Sequence, residues 1–170
     1  ELRQGWCNGM NKLNQIKIMP NNPNFICLNE KIALGKSSSE KVDFDVLICS
    51  VKNIIEIDIP NSIEIIRAHA FEGCKHLCKV NISTDSKLKI IEKNAFKYTS
   101  IENFKVPPHL TTICEGAFYD CYELKNFEIP QNSELQTIEE FAFSSAPIQS
   151  LTIPSSLIHL EENWCFLTEK

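Results

Sequence analysis

Residues 54–71 read IIEIDIPNSIEIIRAHAF, and residues 101–118 read IENFKVPPHLTTICEGAF. Laid one over the other, Ile54 meets Ile101, Ile59 meets Val106, Pro60 meets Pro107, Ile63 meets Leu110 and Ala70-Phe71 meets Ala117-Phe118. The offset is 47 residues, and it holds outward: Leu77 to Leu124, Leu88 to Leu135, Ile91 to Ile138, Ala95-Phe96 to Ala142-Phe143 and Ile101 to Ile148. Each 47 divides into two similar halves of 23 or 24 residues, the length of one coil of a solenoid. A single coil cannot bury its own apolar edge, so coil must stack on coil.

Within a half, an apolar-x-apolar step such as Leu151-x-Ile153 or Phe127-x-Ile129 puts two side chains on one face of a short strand. Proline directly afterwards removes a ladder donor and ends the strand, as at Pro60, Pro107, Pro130 and Pro154. A second apolar pair follows, then Ala-Phe, where the small residue lets the backbone approach and the ring fills the space between coils. Exits from the strand alternate between short (Pro60 to Ile63, Pro107 to Leu110, Pro154 to Leu157) and long (Ser83 to Leu88, Pro130 to Leu135), which is why the true period is 47. The expected fold is a right-handed solenoid with short parallel strands on one face and irregular or short helical turns opposite.

The units, with Ala70-Phe71-Glu72-Gly73-Cys74 and Ala117-Phe118-Tyr119-Asp120-Cys121 as the closest copies, resemble the BspA-like, or treponemal-class, leucine-rich repeat family. Residues 54–170 hold five regular repeats; residues 1–53 are an irregular N-terminal part of one continuous domain. There Leu13-x-x-Ile16-x-Ile18 reads as a strand, and Asn22-Pro23-Asn24-Phe25 with Ile32-x-Leu34 resembles a variant unit of the family. Residues 36–41 read as an exposed polar loop, and Asp45-Val46-Leu47-Ile48 restarts a strand. Trp6-Cys7 and Trp164-Cys165 stand at the same phase, 158 residues apart, which suggests a fragment of a longer array. End-to-end self-association would follow from exposed terminal coils.

A net charge of -5 and a pI near 5.4, with lysines scattered singly, argue against a nucleic-acid partner. No apolar run approaches the roughly 20 residues needed to cross a bilayer, so membrane insertion by this segment is not expected. Eight cysteines invite a disulfide framework, yet Cys74 and Cys121 sit two coils apart, about 10 Å and beyond bridging range. Cys7 and Cys165 fall at a core Phe position, and Cys78 and Cys114 at variable positions read as exposed. His69, Cys74, His76 and Cys78 have metal-ligand types, but Cys74 is a repeat position and no other coil supplies a partner for either histidine. Glu139-Glu140 and Glu161-Glu162 read as a solvated face. No metal, cofactor or catalytic constellation is expected.

What remains is the set of residues alternating outward on the strands: Glu56 and Asp58, Lys79 and Asn81, Asn103 and Lys105, Asn126 and Glu128, Ser150 and Thr152. They form two columns on the kind of open sheet that solenoids use for binding. Asn81-Ile82-Ser83 is the only N-glycosylation sequon, and it lies on this face. The family resemblance implies a cell-surface or secreted adhesin or antigen that contacts host surface or matrix proteins. The competing class is a cytoplasmic scaffold or adaptor, favoured by Cys78 and Cys114, since exported domains usually avoid exposed thiols.

Overall fold

The computed structural model describes residues 9–10 and 12–166 as a leucine-rich repeat solenoid built from parallel strands and turns, with no helix among them. Trp6 and Cys7, which carry half of the super-repeat argument, lie outside the described residues. The chain enters through β1 (Phe25–Leu28), β2 (Ile32–Gly35) and β3 (Val46–Ser50), which pair antiparallel in that order. Asn22 starts β1 by accepting the amides of Asn24 and Phe25 on its side-chain oxygen, each at 3.0 Å. Thus Asn22 to Leu34 makes a hairpin rather than a coil, and residues 13–18 run without a ladder partner rather than as a strand.

From β3 onward each coil contributes two strands, except the last, where the first is reduced to an isolated bridge at Ser150. The first lies in the predicted apolar-x-apolar step: β4 (Glu56–Asp58), then β6 (Lys79–Asn81), β8 (Asn103–Lys105) and β10 (Asn126–Glu128). The second lies on the return path: β5 (Ile65–Ile66), β7 (Ile90–Ile91), β9 (Thr112–Ile113), β11 (Thr137–Ile138) and β12 (His159–Leu160). The return strands continue the three entry strands into one ladder of eight, in the order β1-β2-β3-β5-β7-β9-β11-β12. The region expected to be irregular or helical is therefore the most regular hydrogen-bonded surface of the molecule. Its beta-branched pairs, Ile65-Ile66, Ile90-Ile91, Thr112-Ile113 and Thr137-Ile138, suit a pleated half-buried sheet, and the second residue of each is fully buried.

The exits explain the alternation. Every exit is a turn closed by a bond from the fourth residue's amide to the first residue's carbonyl, at 3.0–3.2 Å. In short exits that fourth residue is the apolar Ile63, Leu110 or Leu157. In long exits it is a buried serine, Ser86 or Ser133, whose hydroxyl accepts the amide of Leu88 or Leu135 two residues on. The serine thus satisfies a buried amide and delays the apolar residue by two positions.

Phe71, Phe96, Phe118 and Phe143 stack in a column at 5.0, 5.2 and 5.4 Å with ring planes within 11° of parallel. Phe104 and Phe127 stack beside them at 5.5 Å and meet their edges at 4.6–5.9 Å. Trp164 closes the column edge-on to Phe143 at 6.2 Å. Cys165, expected in the core, is instead exposed, because among the described residues no coil stacks beyond it. Cys114 is half-buried rather than exposed, and burial followed by the charges of Glu139 and Glu92 pushes its thiol up to about 12. Glu139 and Glu161 are not simply solvated: each reaches back one coil to accept a turn amide, that of Glu115 at 2.8 Å and that of Glu140 at 3.0 Å.

Candidate functional site

The strand face is set by the period-2 alternation of the first strands. Ile57, Phe104 and Phe127 point inward and are buried, while their flanking residues point out. One column runs Glu56, Lys79, Asn103, Asn126, Ser150, and the other Asp58, Asn81, Lys105, Glu128, Thr152. The register places Glu56 beside Lys79, Asp58 beside Asn81, Asn103 beside Asn126, Lys105 beside Glu128 and Asn126 beside Ser150. All ten are exposed except Asn81, which is half-buried.

Neighbours in the columns bond to one another. Lys79 pairs with Glu56 at 2.6 Å and Lys105 with Glu128 at 3.0 Å. The Asn126 amide donates to the Asn103 side-chain oxygen at 2.7 Å. The Lys79 ammonium, then the Asn81 amide, hold the Glu56 carboxyl below its usual range. Asn81 donates both hydrogens of Nδ2, to Glu56 at 2.8 Å and Asp58 at 2.7 Å. That nitrogen is the one a glycan would occupy, so the sequon residue is already committed to two carboxylates.

The face is not one sheet. β4 pairs with β6 and β8 with β10, but β6 and β8 do not pair. The spacing tracks it: the 23-residue steps Glu56 to Lys79 and Asn103 to Asn126 pair over three residues, whereas of the 24-residue steps Lys79 to Asn103 forms no ladder and Asn126 to Ser150 only a single bridge. The long exit after β6 takes Ile82-Ser83-Thr84 out of line with the short exit at Val106-Pro107-Pro108, and neither proline has an amide to bridge the gap. A cleft of about 480 Å³ opens there, lined by Asp58, Asn61, Val80, Asn81, Ile82 and Lys105. Val80 is accordingly half-buried where Ile57, Phe104 and Phe127 are buried. A continuous parallel sheet was the expectation; the alternation of exits, visible in the sequence, was the signal for the interruption.

The residues with metal-ligand chemistry do not converge. Cys74 is fully buried against the Ser50 hydroxyl at 3.3 Å, His69 pairs with Glu72 at 2.7 Å, and His76 and Cys78 face solvent. Among the described residues no three His, Cys, Asp or Glu side chains gather around a common point, and no helix is long and apolar enough to cross a membrane.

Residues 47–169 match the BspA type leucine rich repeat region, in six copies. No curated protein matches the chain. Among solved structures it is similar to the pneumococcal vaccine antigen PcpA, with 30% identity and a TM-score of 0.64 over 67% of this chain and 28% of that one. It is also similar in fold to a leucine-rich repeat protein from Eubacterium ventriosum, with 17% identity and a TM-score of 0.59 over 95% of this chain and 54% of that one. The chain spans less than two thirds of the length of either.

Proposed function

The chain belongs to the BspA-type leucine-rich repeat family, and from that premise we propose that it is a non-catalytic protein-binding module of a cell-surface or secreted adhesin, contacting host surface or matrix proteins through its strand face. The observation that carries this reading is the paired polar columns. Inward positions are uniformly apolar, while outward ones vary in charge and length from coil to coil, as a ligand-specific surface on a fixed scaffold permits. Similarity to a vaccine antigen supports surface display.

Mixed signs, Glu56 and Asp58 against Lys79 and Lys105, favour a protein with a complementary bipolar patch over a polyanion, so binding should weaken only modestly with salt. The cleft between β6 and β8 adds a recess within the face, lined by Val80 and Ile82 together with Asp58, Asn61 and Lys105, where a partner side chain could anchor. Asn81 serves this surface as a linker of Glu56 and Asp58, and we expect it to carry no glycan.

The test is a triple reversal, Asp58→Lys, Lys79→Glu and Lys105→Glu, with circular dichroism confirming the fold. Attachment to epithelial cells or immobilised matrix proteins should fall at least about tenfold, the loss of roughly 1.4 kcal/mol. Unchanged attachment, combined with loss on reversing Lys89 and Lys93 of the return face, would move the site. Absence of antibody labelling on intact cells would replace the adhesin with a cytoplasmic adaptor.

A further inference from the structure

All three tyrosines of the chain, Tyr98, Tyr119 and Tyr122, gather on one edge, at the turns that follow Phe96 and Phe118. Stacking of coils places them there: the Tyr98 amide donates to the Tyr119 carbonyl at 3.1 Å. The Lys97 ammonium lies over both the Tyr119 ring, 4.7 Å from its centre, and the Tyr98 ring at 5.1 Å. Asp120, itself buried, lies beside the hydroxyls of Tyr98 and Tyr122; burial and then Asp120 push the Tyr98 hydroxyl up, and Asp120 pushes up that of Tyr122, while Tyr98 and Tyr122 remain 41% and 45% exposed. Large aromatic surface held toward solvent is prepared for a ligand.

The adjoining surface is basic, against the charge of the whole chain. A groove of about 560 Å³ beside Tyr98 is lined by Lys52, Glu72, Lys75 and His76. Its one carboxylate, Glu72, is held by His69 at 2.7 Å, and Asp120 lies beside the tyrosine hydroxyls; both keep their charge. Lys52, Lys75 and Lys97 make no ion pair among the described residues, and these three cations outnumber the two carboxylates, Glu72 and Asp120, although the chain carries -5.

We propose that this edge is a second binding site, separate from the strand face, and that it takes an anionic sugar: a pyranose bearing a carboxylate or a sulfate. A pyranose presents a flat C–H face with a polar rim, which matches exposed tyrosine rings bordered by ammonium donors. The anionic group supplies the partner that Lys75 and Lys97 lack. Size decides against a protein here. The groove falls within the range of small-ligand sites, whereas a stable protein interface needs about 800 Å² per partner around a buried apolar anchor.

Calorimetric titration with four probes tests the assignment: a hyaluronan tetrasaccharide, a heparin-derived tetrasaccharide, neutral maltotetraose and hexaglutamate. At least one acidic sugar should bind with a Kd below about 1 mM, and the two together tell carboxylate from sulfate recognition. Lys97→Met and Lys75→Met, which keep the apolar stem, should each weaken it about tenfold with the fold intact by circular dichroism. Because the chain has no other tyrosine, its near-ultraviolet tyrosine signal should change on binding. The strand-face triple variant should bind the sugar normally, which separates this site from the adhesive one. Equal binding of maltotetraose, binding of hexaglutamate at least as tight, no acidic-sugar binding in the millimolar range, or indifference to both lysine variants would overturn it.

Discussion

Two residues per coil carry a positive φ, one just before the Ala-Phe pair (His69, Asn94, Gly116, Phe141, Asn163) and one two residues after its Phe (Gly73, Tyr98, Asp120, Ser145). This left-handed pair makes the sharp corner of the coil, and Gly73 and Gly116, with Asn94, Asp120 and Asn163, hint at it in the sequence, whereas the same backbone is imposed on Phe141 and Tyr98 by stacking. Gly116→Ala should destabilise by about 1–2 kcal/mol, from the left-handed cost plus a collision of the new methyl with the Asn94 side chain; Phe141→Gly should be neutral or stabilising. Urea unfolding of both variants checks this, and equal effects would reject it. Asp45 is equally illegible, a buried carboxylate in a segment that reads only as a strand start. Burial pushes its carboxyl up, but the hydroxyl and amide of Ser37, at 2.5 and 2.8 Å, and Lys41 at 3.2 Å outweigh that and hold it below the ordinary value. The unfolded chain therefore binds the proton more readily. Asp45 contributes stability in full above its unfolded pKa of about 4, and loses it as pH falls through the lower folded value. Asp45→Asn should lower Tm at pH 7 and flatten its fall between about pH 4 and 2, measured by a thermal melt series.

Among the elements, the phenylalanine column and the first strands were legible, because a ring at a fixed phase and an apolar-x-apolar step each have one physical use. The return ladder was not: a two-residue strand such as Ile90-Ile91 or Thr112-Ile113 is too short to show a period, and only its neighbours above and below make it a strand. Phe118 shows how far the column is a shared element. Its ring, fully buried, meets Phe96 at 5.2 Å, Phe104 at 4.9 Å, Phe127 at 5.5 Å and Phe143 at 5.4 Å. Phe118→Ala should cost about 3–5 kcal/mol, as a cavity opens between three coils that cannot collapse without losing their cross-coil hydrogen bonds. Since each coil is held by its neighbours alone, the melt should also broaden as the array splits at that point. A loss under about 1.5 kcal/mol in calorimetry would mean that the coils repack around the gap.

For the molecule as a whole, the two faces differ in continuity: the return ladder runs unbroken through every coil, while the strand face is divided between β6 and β8. The array is thus hinged on one side and open on the other, which places compliance on the proposed binding face and rigidity behind it. Backbone alternation identifies the affected groups. Val106 donates to Glu128 at 2.9 Å and Glu102 accepts from Asn126 at 3.3 Å, so even-numbered residues of β8 face β10, and Asn103 and Lys105 face the cleft. Among the described residues no ladder joins β8 to β6 across it, whereas the corresponding ladders β4-β6 and β8-β10 are closed. Native-state hydrogen exchange should show Asn103 and Lys105 exchanging at least about a hundredfold faster than Phe104 and Val106, a difference of roughly 2.7 kcal/mol in opening free energy. A partner that grips the strand face should slow Asn103 and Lys105 selectively and leave the return ladder unchanged. Uniform protection along β8 in the free protein would show that the cleft closes in solution, and the compliance would then have to lie elsewhere in the solenoid.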